Sequence, residues 1–284
     1  MATKESWLHI DKPELRDLSI AILALAFAFS WKFAGPATFG NWTGNFILVL
    51  FLVLISVFVH EIVHRFVAKK YHARVTSKLF MSSVIAMLII VVLTNGNLVI
   101  AVPWAVSIIP LYFYRPGRAS PHLGPYESAF IAAAGPLSNF FMAVVAKLLI
   151  PQLGLIAQKL MVINISLAVF NLIPFLTVLP TILAQTPALM FGGKRLTNVP
   201  YVEGEFVFFG SRLLWLFTFA FVLVAGLCLF ITGILASVII ALIVAAVLWV
   251  LWHFWEPELL PGQEKTIPVS WQEYYKNKFH KEED

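Results

Sequence analysis

Residues 56–71, SVFVHEIVHRFVAKKY, decide how this chain is to be read. They continue the apolar run of residues 44–55, GNFILVLFLVLI, which is built to cross a membrane. Before the basic flank begins, the run takes in His60, Glu61 and His64. Ionisable groups in hydrocarbon cost several kcal/mol unless they are partnered. On a helix, His60 and His64 project from one face a turn apart. Two imidazoles at that spacing can share one Zn²⁺, and a glutamate directly after the first can act as general base toward the attacking water. A bound cation is also what makes a glutamate tolerable at that depth. The competing reading is three polar residues that extend an interfacial basic flank.

The composition makes the membrane reading general. The 284 residues are 60% hydrophobic, with a mean hydropathy of +0.86 and only 12% charged residues. A soluble domain of this length cannot hide so much apolar surface. The net charge of +5 does not point to nucleic acid, because the basic residues collect beside hydrophobic spans, the positive-inside pattern. One cysteine, Cys228, inside an apolar run, excludes intrachain disulfides and cysteine-based metal sites.

The expected fold is all-α and polytopic. Six core transmembrane helices are predicted near residues 18–35, 44–66, 127–150, 155–175, 206–231 and 233–255. Residues 79–113 are split by the TNGN sequence at 94–97 and read as a hydrophobic hairpin or two extra helices. The first apolar run is expected to be a retained span, since no small-residue cleavage site follows it. Arg65, Lys69, Lys70, Arg74 and Lys78, then Arg115 and Arg118, then Lys194 and Arg195 all fall on one side, taken as cytoplasmic. Lys32, Lys147 and Lys159 lie near span ends on the other side and are expected to snorkel. Both termini are then cytoplasmic: a segment 1–17, a membrane-embedded domain 18–255 and a tail 256–284. The lipid bilayer of the cell membrane is the surrounding phase, and the motif lies near the cytoplasmic face.

Two further motifs follow. Gly135-Pro136-Leu-Ser-Asn139 reads as a helix start, with proline where its missing N–H does least harm. Asn139 has an amide to satisfy there, through an interhelical hydrogen bond or a ligand. Asn171-Leu-Ile-Pro174 breaks a helix where the chain reaches the cytoplasmic side, freeing backbone groups to line a wet pocket.

With HEIVH, GPLSN and NLIP in this order and spacing, residues 45–220 resemble the intramembrane zinc metalloproteases of the site-2 protease family, in its archaeal or bacterial polytopic branch. The resemblance implies one Zn²⁺ per chain, His60 and His64 as ligands, Glu61 as general base and Asn139 holding the substrate backbone. It also implies a transmembrane segment of another protein as substrate, cleaved in regulated intramembrane proteolysis.

The chain departs from the family at the third ligand, normally the Asp of an L-D-G tripeptide after N-x-x-P. Its only aspartates are Asp11, Asp17 and Asp284. An inserted loop is expected after Phe175, with Glu203-Gly204 in place of Asp-Gly. Glu203 is the expected third ligand, Glu205 its nearest competitor and Glu127 a more distant one; otherwise Glu203 is a solvated helix cap and the site is degenerate. Two other functions fit the same residues: an inactive relative that binds membrane helices as a scaffold, and a metal or proton transporter. The lack of internal repeats argues against the transporter.

Overall fold

The computed structural model describes residues 10–31, 39–111, 123–174 and 202–255. Lys32, Arg115, Arg118, Lys194, Arg195, the expected loop after Phe175 and the tail 256–284 lie outside the described residues. In order, the elements are α1 (Lys12–Ser30), α2 (Phe39–Lys70), β1 (Ala73–Leu79), α3 (Met81–Leu93), β2 (Trp104–Pro110), α4 (Pro125–Leu153), α5 (Leu155–Leu172), α6 (Glu203–Gly210), α7 (Arg212–Ile231) and α8 (Ile234–Trp255). Residues 1–249 and 250–284 form separate units.

The protein is an all-α multi-pass membrane protein with one small two-stranded sheet among its described residues. Five helices are long and apolar enough to cross a membrane: Gly40–Lys70, Pro125–Leu153, Leu155–Leu172, Arg212–Ile231 and Ile234–Trp252. The first expected run forms α1 but is not among these five, because even the last eighteen residues of α1 keep Glu14, Arg16 and Asp17. Residues 79–113 do return the chain, but as α3 between two strands and not as two spans. The strands pair antiparallel from Ala73 opposite Pro110 to Leu79 opposite Trp104.

Helix α1 covers the outer edge of β1. Asp11 pairs with Arg74 at 2.7 Å, Glu14 accepts from the Ser77 N–H at 2.8 Å, and Asp17 accepts from the Leu79 N–H at 3.2 Å. Glu14 and Asp17 thus take up strand N–H donors that a third strand would otherwise satisfy, while Asp11 holds the Arg74 side chain. The charged stretch 11–17, read in the sequence as a polar flank, is packed structure.

Helix α2 is apolar all round, yet its faces differ. Ile47, Phe51, Leu54, Phe58, Ile62 and Phe66 point outward, while Val49, Val53, Ser56, Val57, His60 and His64 are buried. The large side chains are exposed and the small or polar ones meet protein, the packing that brings membrane helices close. Lys147 and Lys159 reach protein acceptors, the Leu229 carbonyl at 2.6 Å and the Asn45 side-chain oxygen.

Helix α4 corrects one expectation. It starts at Pro125, so Gly135-Pro136 lies in its interior and does not open it. The sequence from Glu127 to Ala134, alanine-rich and led by a Glu127 carboxylate that accepts from the Gly124 N–H, propagates helix up to the proline.

Helix α5 ends at Leu172, two residues before Pro174, which cannot donate to a further turn. The freed Leu172 carbonyl accepts from Trp215 Nε1 at 2.8 Å. Helix α6 docks on this end through Gly204, where an added Cβ would lie 2.5 Å from the Leu172 carbonyl carbon and oxygen. Gly204→Ala is therefore expected to push α6 away and cost about 1–3 kcal/mol. A lower thermal unfolding midpoint in detergent is the readout, and an unchanged midpoint would mean that this contact does not hold α6.

Candidate metal centre

The inward face of α2 presents His60 and His64 with both side chains fully buried. Their rings meet edge to face at 4.7 Å, and the Trp104 ring from β2 stands edge-on to His60 at 5.7 Å. Helix α4 lies directly against them. A Cβ on Gly135 would fall 2.2 Å from His64 Nε2 and 2.6 Å from His60 Nε2, so only glycine permits this approach.

The second nitrogens of both rings are held. His64 Nδ1 is 2.7 Å from the Ile131 carbonyl. A carbonyl only accepts, so Nδ1 carries the proton and the neutral ring has its lone pair on Nε2. Pro136 loosens this part of α4, since it leaves the neighbouring Ala132 carbonyl without its helical donor. His60 Nδ1 is 2.9 Å from the Asn139 amide. The amide's two ends are interchangeable in assignment. With oxygen toward the ring, His60 Nδ1 donates and its Nε2 also becomes a ligand. This is the second-shell support that ligating histidines ordinarily have. The outer amide atom, assigned as Oδ1, is buried without a hydrogen-bond partner.

The docking of α6 brings Glu203 into the same space. Its Oε1 lies 2.8 Å from His60 Nε2 and 3.1 Å from His64 Nε2, while Oε2 is buried without a hydrogen-bond partner. Burial raises the carboxyl's pKa, but the two imidazoles outweigh it and hold it at about 2. Glu205 turns away and accepts from the Val202 N–H at 3.2 Å, and Glu127 serves Gly124. Glu61 is buried beside the pair, with its Oε1 accepting from Ser77 Oγ at 2.7 Å. Its Oε2 is 3.6 Å from Arg65 Nη2.

One ligand atom from each of His60, His64 and Glu203 lies within 4.8 Å of the others. At His64 a neutral ring would set the Nε2 lone pair against a carboxylate oxygen. A cation between them relieves that opposition, and a two-nitrogen, one-oxygen set suits zinc, whose ligands sit at about 2.0–2.2 Å.

Sequence reasoning missed Glu14, Arg65 and Ser77. Arg65 belongs to the basic flank by position, yet it is buried and pairs with Glu14 at 2.7 Å. The alternation of buried positions in β1, Ala73, Val75 and Ser77, is the signal that could have found Ser77.

Fold and site together define a multi-pass membrane protein with an HExxH helix turned inward and a carboxylate delivered to it. No family model matches the chain, and no solved structure matches it. A curated relative does: the "Putative zinc metalloprotease MJ0611" of Methanocaldococcus jannaschii, 31% identical over 180 residues that cover 60% of this chain and 82% of the relative. The chain belongs to this zinc metalloprotease family.

The Gly135 contact yields a direct test. Gly135→Ala is expected to drive the imidazoles from their positions and lower bound zinc from one to well below one per chain, measured by elemental analysis of purified protein. Full zinc content would show that α4 does not abut the site.

Proposed function

We propose that the protein is an intramembrane zinc endopeptidase of the site-2 protease type, which cleaves a transmembrane segment of another membrane protein. The observation that carries this is the buried meeting of His60 Nε2 and His64 Nε2 with the Glu203 carboxylate, with Glu61 on the same membrane helix as the two histidines. His60, His64 and Glu203 hold the zinc. Zinc in that position supplies Lewis-acid chemistry, polarising a carbonyl and acidifying water.

The remaining work falls to the chain. Glu61 takes a proton from the attacking water and returns it to the leaving amine. Asn139 borders the site with one amide end on His60. Its other end is free for the backbone of an extended substrate, as an acceptor for an N–H or a donor to a carbonyl. The substrate helix must unwind locally, since its carbonyls are otherwise engaged. Water enters from the cytoplasmic side, where Lys69, Lys70 and Lys78 follow the motif and where both termini lie.

Glu61→Gln keeps the side chain's shape but cannot take up a proton. The expected result is intact fold and zinc content with cleavage of a reconstituted transmembrane substrate reduced by about 10²-fold or more. Wild-type cleavage by that variant would refute the mechanism. If the wild-type preparation held no zinc and cut nothing, the scaffold reading would replace this one, and zinc flux across liposomes would favour a transporter.

Glu203→Ala is expected to release zinc and stop cleavage, whereas Glu203→Asp retains part of both, because a ligating carboxylate remains one methylene short. Zinc titration with a competing chelator measures this, and equal affinity in Glu203→Ala and the parent would remove Glu203 from the ligand set.

A further inference from the structure

The Glu61 carboxylate is held from outside its own helix. Ser77 Oγ, on β1, donates to Glu61 Oε1 at 2.7 Å. The Ser77 backbone N–H donates to Glu14 Oε1 at 2.8 Å, and the same oxygen accepts from Arg65 Nη2 at 2.7 Å. Arg65 Nη2 returns to within 3.6 Å of Glu61 Oε2. These four side chains close a ring across α1, α2 and β1, and all of them are buried.

We infer that Ser77, Glu14 and Arg65 are positioning residues that fix the Glu61 carboxylate for proton transfer. The inference rests on the reading of Glu61 as general base. Two details favour it over a ring that merely fastens α1 to α2. First, Ser56, Ser83 and Ser138, also buried, donate to backbone carbonyls, whereas the Ser77 hydroxyl goes to a carboxylate. Second, Arg65 sits closer to Glu14 than to Glu61, 2.7 Å against 3.6 Å. Glu14 thereby holds the guanidinium short of full contact with the base. A tight bidentate pair would instead fix the carboxylate on Arg65. On α2, Glu61 projects about 100° around the helix from His60, so it needs an external hold to stay directed at the water.

The test uses the full-length protein with zinc bound and a reconstituted transmembrane substrate. Ser77→Ala is expected to lower kcat roughly tenfold, the scale of a misdirected catalytic group, with KM and zinc per chain unchanged. Ser77→Thr, which keeps the hydroxyl, should recover most of the loss. Glu14→Gln should lower kcat at least as far, and it carries the test if Ser77→Ala does not fold. Asp17→Asn is the control, because Asp17 makes the same kind of bond to β1 at Leu79 without reaching Glu61. A kcat within twofold of the parent in Ser77→Ala overturns the inference. So does an equal loss in Ser77→Ala and Asp17→Asn with parallel drops in thermal midpoint, which would mean that loosening β1 is the cause. Failure of the parent reading looks different: Glu61→Gln would then cleave like the wild type, whatever Ser77 variants do.

Discussion

His64 Nε2 stands 3.1 Å from a carboxylate oxygen of Glu203, and the rest of the structure is arranged around that meeting. Three polar side chains cannot be taken into the interior of a membrane protein unless each is partnered. The partners are specific. The Ile131 carbonyl fixes one imidazole, the Asn139 amide meets the other, and both come from α4. The inner nitrogens of both rings are turned to the Glu203 carboxylate.

The groups meet because other side chains are missing. Gly135 lets α4 lie on the imidazoles. Gly204 lets α6 rest on the backbone where α5 ends, so the position of Glu203 follows from where Pro174 stops a helix. A methyl group at either glycine would separate the elements by more than the tolerance of a ligand set, in which errors of about 0.5 Å already matter. The site is thus specified as much by contacts between helix backbones as by the residues that carry its chemistry.

This explains what could be read in the sequence. His60, Glu61 and His64 were legible because their spacing is local and a helix converts it directly into a shared face. Glu203 was legible by substitution, as the acidic residue before a glycine in a chain with no aspartate nearby. The sheet was not. Residues 79–113 are apolar enough to read as membrane, and strand pairing from Ala73 to Pro110 spans far more chain than any local pattern records. Glu14 and Arg65 were hidden for a different reason. Charges beside a hydrophobic run are normally solvated flank, and only the packing of α1 against β1 turns them into a buried pair. The interior position of Pro136 was missed because proline is commonest in a first turn, and the helix-forming sequence ahead of it extends the helix past the expected start.

The buried charges themselves complete the argument. Around the C-terminal end of α2 stand, among the described residues, three buried carboxylates, Glu14, Glu61 and Glu203, and one buried guanidinium, Arg65. A fourth, Glu205, lies in the first turn of α6, where the helix N-terminus favours negative charge. One guanidinium leaves the group of three two charges short, and a doubly charged ion at the histidines would balance it. Removing Arg65 alone would leave Glu14 and Glu61 without that cation, a change that ordinarily costs about 3–5 kcal/mol. The same ring that orients Glu61 therefore also makes it tolerable for two carboxylates to lie within reach of one metal position.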